Sequence, residues 1–150
     1  MTVSSHAIAN EFIALAKSEG KALTNMQLQK LVFISQGYTL AILEHPLYFH
    51  NTHAWQWGPV IPKLYKPLQK YGRNFVTESL ESEDVLDQNS EEMEIIKAVW
   101  DGYGHLSGGR LSELTHKPNT PWSITWENNQ FGIIPENLIA EHYKGIVESA

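Results

Sequence analysis

Histidine is the residue type in this chain best suited to acid–base or metal chemistry, because the sequence contains seven histidines and no cysteine. His45, His50 and His53 form its one cluster of residues that commonly bind metals. A zinc site needs three or four ligands in a tetrahedral array, usually with a carboxylate or thiolate among them. The spacing of these histidines matches no standard pattern, so we predict no metal and no cofactor.

His116 is the second candidate for chemistry, since it follows Thr115 and precedes a loop that leads to Trp122. If a nucleophile or a carboxylate met its ring, His116 could act as the general base of a hydrolase. The interpretation we favour is a helix-end residue whose ring bonds the backbone or the loop before Trp122. The sequence shows no phosphate-binding loop, nucleophile elbow or telling carboxylate pair. We therefore predict that the protein is not an enzyme, with no catalytic residue.

Basic residues recur at helical spacing within residues 62–73, in a chain of formal net charge −6. Lys63, Lys66, Lys70 and Arg73 follow the pattern i, i+3, i+7 and i+10, which places them on one helix face. This face is either a binding patch for an acidic partner or RNA, or a solvated face balanced by a following acidic stretch. That stretch contains Glu78, Glu81, Glu83, Asp84 and Asp87. The acidic total argues against nucleic acid, and a nucleic-acid-binding regulator is kept as an alternative.

Residues 54–65 are the most distinctive stretch, with two tryptophans, a Gly-Pro pair, a second proline and a tyrosine. On an extended backbone Trp55 and Trp57 would point to the same face, since they are two residues apart. Pro62 suits the first turn of a helix, where its missing N–H costs nothing. We predict a strand, a rigid elbow and then a helix. The chain's tryptophans serve either as binding anchors or in core packing. They are Trp55, Trp57, Trp100, Trp122 and Trp126.

The elements that position these residues are predicted to form a predominantly helical α+β fold. We expect a bundle of about five to seven helices around a buried central helix over about 24–44. That helix is apolar on nearly all sides, which is typical of buried helices. A small β-hairpin or extended segment should occupy about 47–60, with Asn51 and Thr52 between its two arms. The last helix should bury a side that includes Ile146 and Val147.

Three local features should interrupt or define the helices. Thr24 or Asn25 should cap the central helix. Gly37 inside that helix costs about 1 kcal/mol relative to alanine unless another element packs closely there. Pro67 should kink or shorten the helix that begins at Pro62.

Length and composition favour a single domain over residues 1–150. The first residues lack the pattern of a signal peptide, and no apolar run approaches the roughly 20 residues of a membrane span. A chain without cysteine fits a reducing compartment, so we expect a cytoplasmic protein.

Three sequence blocks resemble the Panacea antitoxin domain, a family also described as phage-associated GepA-like proteins, which includes the SocA proteolytic adaptor. The blocks are NMQLQKLVF at 25–33 with Gly37-Tyr38, Pro46-Leu47 with AWQWGPVIPKLY at 54–65, and LSELTH at 111–116 with Pro121-Trp122. Together they span nearly the whole chain, and the pattern W-x-x-G-P-V is the most specific. Pro67 departs from the family pattern, so a straight helix is not expected there.

The resemblance implies an antitoxin that neutralises a toxin encoded beside it through direct protein contact. Family members are common on prophages, and the SocA branch implies delivery of the toxin to a bacterial AAA+ protease. The expected partners are thus a cognate toxin and such a protease, with self-association left open and no membrane. We expect the partner to bind the elbow, the helix after it and two further cations. These residues are Gln56, Trp57, Lys63, Lys66, Lys70, Arg110 and Lys117.

Overall fold

The computed structural model describes residues 2–149, which form seven α-helices and a two-stranded antiparallel sheet. The helices are α1 Ser5–Ser18, α2 Asn25–Leu43, α3 Pro62–Leu68, α4 Glu91–Tyr103, α5 Gly108–Thr115, α6 Pro121–Asn128 and α7 Glu136–Ser149. The strands are β1 His53–Trp55 and β2 Gly58–Val60. The predicted α+β, predominantly helical fold is confirmed. No helix in the described part of the chain has the length and apolarity needed to cross a membrane.

Helix α2 is the buried centre of the fold, as predicted. It contacts α1, α3, α4, α5, α7 and β2. Thr24 caps its N-terminus, and Gln27 completes a capping box. Gly37 is explained by close packing, because a Cβ atom there would lie 2.2 Å from the Cδ2 atom of Tyr143 in α7. Only glycine lets the two helices approach this closely.

Capping side chains and one proline set the boundaries of several helices. Ser90, Ser107 and Thr120 each accept a backbone N–H bond at the start of α4, α5 and α6. Helix α3 contains Pro67, ends at Leu68 and continues as a 3₁₀ segment over Gln69–Tyr71. The early end predicted from this proline is therefore confirmed.

The end of α7 differs from the prediction. Tyr143 is buried against α2, whereas Ile146 and Val147 are exposed. All described residues after Tyr143 are exposed, so the helix continues past the core that would have covered these side chains.

The hairpin lies within the predicted segment, but its turn does not lie where we expected. Cα partners are His53 with Val60, Ala54 with Pro59 and Trp55 with Gly58. The turn is therefore formed by Gln56 and Trp57, and the prediction of a turn at Asn51 and Thr52 is wrong. Because Trp57 is in the turn, the extended backbone that would have placed both indoles on one face stops at Trp55.

The third segment beside the hairpin explains how Pro59 fits into a strand. The N–H of Ala54 donates to the carbonyl of Gly132, and the N–H of Phe131 donates to the carbonyl of Ala54, both at 2.9 Å. The polar groups of Ala54 thus point away from β2. Pro59, which pairs with Ala54, has no N–H and loses no ladder hydrogen bond there.

Candidate functional site

Trp57 is the tryptophan that core packing does not explain. Its side chain is 61% exposed at the tip of the hairpin, beside the exposed Gln56. By contrast, Trp100 is 6% exposed and Trp122 is 8% exposed. Trp55 is half-buried and packs edge-on against Tyr65 of α3, with ring centroids 5.0 Å apart. The two indoles of the elbow therefore have different environments, and only that of Trp57 is free to meet a partner.

Two buried side chains of α2 hold the strand that follows this turn. The side-chain oxygen of Gln29 accepts the N–H of Ile61 at 2.9 Å, and its amide donates to Asn25 at 3.0 Å. The Nζ atom of Lys30 donates to the carbonyl of Pro59, also at 2.9 Å. Both α2 side chains are nearly inaccessible to solvent. They satisfy backbone groups that would otherwise be buried without a partner.

Two more side chains hold the turn itself. The hydroxyl of Ser112 in α5 donates to the carbonyl of Trp57. The indole N–H of Trp122 in α6 donates to the carbonyl of Trp55 at 2.6 Å. We refer to Gln29, Lys30, Ser112 and Trp122 as the hairpin clamp. Because three helices contribute to it, the clamp fixes the turn relative to the body of the protein.

Lys30 has an unusual environment for a lysine. Within residues 2–149 no carboxylate oxygen lies within 4.0 Å of its ammonium, and burial lowers the pKa of Lys30 to about 7. Gly58 leaves the space that Lys30 occupies, because a Cβ atom on Gly58 would lie 3.1 Å from the Lys30 Cε. Gly58 also has a φ of +118°, a conformation that L side chains rarely adopt.

The predicted basic face is exposed and carries no ion pair with the acidic stretch. Lys63, Lys66, Lys70 and Arg73 are all exposed, and no carboxylate in the described chain lies within 4.0 Å of their charged groups. The acidic stretch instead bonds α1, where Asp84 accepts the N–H of Ser4 at 2.9 Å. The cations are therefore not neutralised by direct contact.

The remaining predicted cations lie on α5 or directly after it. Arg110 in α5 pairs with Glu113 at 2.9 Å, with both side chains half-exposed or more. Lys117 is exposed just after α5, the helix whose Ser112 bonds Trp57. The predicted partner residues thus fall on the turn, on α3 with its 3₁₀ segment, and on α5 with its C-terminal end. Both helices contact the hairpin, α3 through Tyr65 and α5 through Ser112.

The histidines considered for chemistry are engaged in structural contacts. His116 ends α5, where its Nδ1 contacts the Ser112 carbonyl and its ring packs edge-on against Trp122, 5.3 Å between centroids. The helix-end interpretation of His116 is confirmed. Neither of two surface cavities, of about 520 and 320 Å³, is lined by His116. The Ser112 hydroxyl lies 3.4 Å from the His116 Nδ1 but donates to the Trp57 carbonyl, and no Asp or Glu oxygen among residues 2–149 lies within 4.0 Å of the ring nitrogens.

The three clustered histidines have three separate partners. His45 lies 3.4 Å from Glu92, His50 lies 2.6 Å from the Ser5 hydroxyl, and His53 lies 2.9 Å from the Phe131 carbonyl. Within the described residues, no three His, Cys, Asp or Glu side chains lie together in a way that could hold a metal ion. Burial is the main cause that lowers the pKa of His50, and the nearby His6 lowers it further.

Sequence reasoning missed the hairpin clamp, although α2 contains a signal for it. Gln29 and Lys30 are adjacent polar residues in a helix that was expected to be buried on nearly all sides. Buried polar side chains are almost always hydrogen-bonded. Their presence therefore indicated internal partners, but not which backbone groups those partners would be.

These features define a mainly helical α+β domain that presents an exposed tryptophan turn on a buried polar framework. The family model for antitoxin SocA-like proteins, Panacea domain, matches residues 28–123. The chain belongs to this family. It is similar to Antitoxin SocA of Caulobacter vibrioides (strain NA1000 / CB15N), with 25% identity over 132 residues, covering 82% of this chain and 70% of the relative. No solved structure matches it.

Family membership supports an antitoxin role and implies a toxin as partner in general. It also suggests a regulator that is not an enzyme.

Proposed function

We propose that this protein neutralises a cognate toxin by binding it directly through the Trp57 turn and the exposed cations of α3, α5 and the segments that follow them. The observation that carries the proposal is the 61% exposed indole of Trp57 on a turn that buried side chains hold in place. Tryptophan is enriched among the interface residues that contribute most to affinity, with losses of about 2 kcal/mol or more on truncation. A turn that is already ordered also loses little conformational entropy on binding.

The charges around the turn indicate an acidic toxin surface. Lys63, Lys66 and Lys70 form no ion pair within residues 2–149, and they lie on a protein whose net charge is −6. Exposed charges at the edge of an interface mainly steer association and select partners. Trp57 would then supply affinity, and the lysines with Arg110 and Lys117 would supply orientation.

Binding at this face would cover the active surface of the toxin. We include in the proposal a second consequence of binding, which is delivery of the bound toxin to a bacterial AAA+ protease in the cytoplasm. Shortening of the toxin's half-life by this protein, dependent on such a protease, would separate delivery from simple blocking.

The test is rescue of growth from the toxicity of the protein encoded by the adjacent reading frame. The triple variant Lys63→Glu, Lys66→Glu and Lys70→Glu should fold normally and abolish rescue. Trp57→Ala should weaken rescue without unfolding the protein.

A matched control has the same change of charge elsewhere. Lys17, Lys97 and Lys144 are exposed on α1, α4 and α7. Their replacement by glutamate should leave rescue intact. Full rescue by the first triple variant would remove the α3 face from the proposed site, and tight, salt-dependent RNA binding lost in that variant would favour the nucleic-acid alternative.

A further inference from the structure

We propose that Lys30 is a positioning residue for toxin recognition, holding the Trp57 turn in its binding geometry from inside the protein. This inference rests on the proposed function. Lys30 cannot touch a partner, because its side chain is 1% exposed. Its effect on binding would be transmitted through the backbone of β2.

Lys30 bonds the chain close to Trp57. The Lys30 ammonium donates to the carbonyl of Pro59, which lies two residues after Trp57. A Cβ atom added to Gly58 would lie 3.3 Å from both the Lys30 Nζ and the Thr115 Oγ1. Lys30 therefore contacts the start of β2 at the point where the strand leaves the turn.

The Pro59 carbonyl depends on a donor from α2. Pro59 pairs with Ala54, whose own polar groups are directed toward residues 131 and 132. The Pro59 carbonyl consequently points away from β1, toward the protein interior. Without the Lys30 side chain it would be a buried acceptor without a partner, and β2 would shift to satisfy it.

Stability alone does not account for a lysine at this position. Burial without a nearby carboxylate disfavours the ammonium, as the lowered pKa of Lys30 indicates. An apolar side chain of similar volume would avoid that cost but would leave the Pro59 carbonyl without its donor. A residue that costs stability and holds one carbonyl is expected when the position of that carbonyl matters for function.

The experiment compares Lys30→Met with the wild type. Methionine keeps the unbranched apolar stem and removes the donor. The binding partner is the purified protein encoded by the adjacent reading frame. We expect Lys30→Met to remain folded and to bind at least ten-fold more weakly.

A second readout follows the turn itself. With 5-fluorotryptophan incorporated at all five tryptophans, the ¹⁹F resonance of Trp57, assigned with Trp57→Phe, should shift or broaden in Lys30→Met more than that of Trp100. Ile96→Val in α4 is the control, because it lowers stability in a buried position that is not part of the hairpin clamp. It should leave both the Trp57 resonance and the affinity unchanged.

Three results would overturn the inference. Wild-type affinity in Lys30→Met overturns the inference, as does an unchanged Trp57 resonance. If Lys30→Met does not fold, Lys30→Leu, which also lacks the donor, takes its place with the same expected result, and failure of both variants to fold would make Lys30 a residue of the fold and overturn the inference.

The proposed function fails separately. If Trp57→Ala binds as tightly as the wild type, or if the wild type does not bind the adjacent protein at all, the proposed surface is wrong and the inference with it. If Trp57→Ala loses affinity and Lys30→Met keeps it, only the role of Lys30 is wrong.

Discussion

The two sides of the hairpin contrast in burial, bonding and charge. On the inner side, the hairpin clamp bonds the backbone of Trp55, Trp57, Pro59 and Ile61 from three helices. On the outer side, Gln56 and Trp57 are exposed, and the side chain of Trp57 is left to solvent. The same few residues therefore use their backbone for shape and their side chains for contact.

Lysine shows this contrast within a single residue type. Lys30 is buried and holds one carbonyl, whereas Lys63 and Lys66 are exposed and unpaired within the described residues. Substitutions on the outer side should therefore alter binding alone. Substitutions on the inner side should alter the free energy of unfolding and, at Lys30, binding as well.

The largest expected effect on stability is that of Trp122→Ala. Trp122 is 8% exposed, stacks on Trp126 at 5.4 Å between centroids and donates to the Trp55 carbonyl. Its truncation should lower the free energy of unfolding by about 3–5 kcal/mol. Urea denaturation measures this, with Trp57→Ala as the outer control, expected to change stability by less than about 0.5 kcal/mol. Equal losses in both variants would break the distinction between the two sides.

The second effect is a dependence of the free energy of unfolding on pH that Lys30 causes. Its pKa is about 7 when folded and 10.5 as the ordinary value, so the unfolded chain binds more protons between these values. Stability should therefore rise with pH across this window, by about 2 kcal/mol between pH 7 and pH 9. In Lys30→Met this rise in stability between pH 7 and pH 9 should be absent.

Other titrating groups limit the range in which this can be measured. Burial lowers the pKa of His50 and His142, so their effects fall at lower pH, near the ordinary histidine value and below. Burial raises the pKa of Tyr38, Tyr48 and Tyr143, so these residues oppose the rise only near pH 10 and above. Identical slopes for wild type and Lys30→Met between pH 7 and pH 9 would contradict a buried, neutral lysine.

A smaller loss is expected for Gly58→Ala, which tests the fit between Lys30 and the turn. The new methyl group would lie 3.1 Å from the Lys30 Cε at a φ of +118°. We expect a loss of about 1–2 kcal/mol in thermal or urea denaturation. The control is Gly145→Ala in α7, where a Cβ meets nothing within 4 Å. Helix propensity should raise the free energy of unfolding of this variant by at most about 1 kcal/mol. A neutral Gly58→Ala would show that the turn tolerates movement.

The smallest effect on stability is expected for the triple glutamate variant of Lys63, Lys66 and Lys70. These side chains are exposed and form no ion pair with residues 2–149, so the free energy of unfolding should change by less than about 1 kcal/mol. Rescue from toxin should nevertheless be lost. A large loss of stability would instead assign these lysines to the fold.

Local chemistry explains why much of the fold was predictable. Thr24, Ser90, Ser107 and Thr120 begin helices because their side chains bond the first backbone N–H groups, which is a short-range effect. Pro67 shortens α3 for an equally local reason. The turn of the hairpin was misplaced because its register depends on long-range partners, including residues 131 and 132 beside β1.

Periodicity, caps and motifs are properties of neighbouring residues, so they were enough to predict the helical class, the buried central helix and the family. They also indicated residues 54–65 as the distinctive element. The fold was needed to show that Trp57 is exposed while Trp122 is buried, and that Lys30 bonds Pro59 while other lysines face solvent. Burial and hydrogen-bond partners depend on what packs against a side chain, and those neighbours lie about 30 to 80 residues away in the chain.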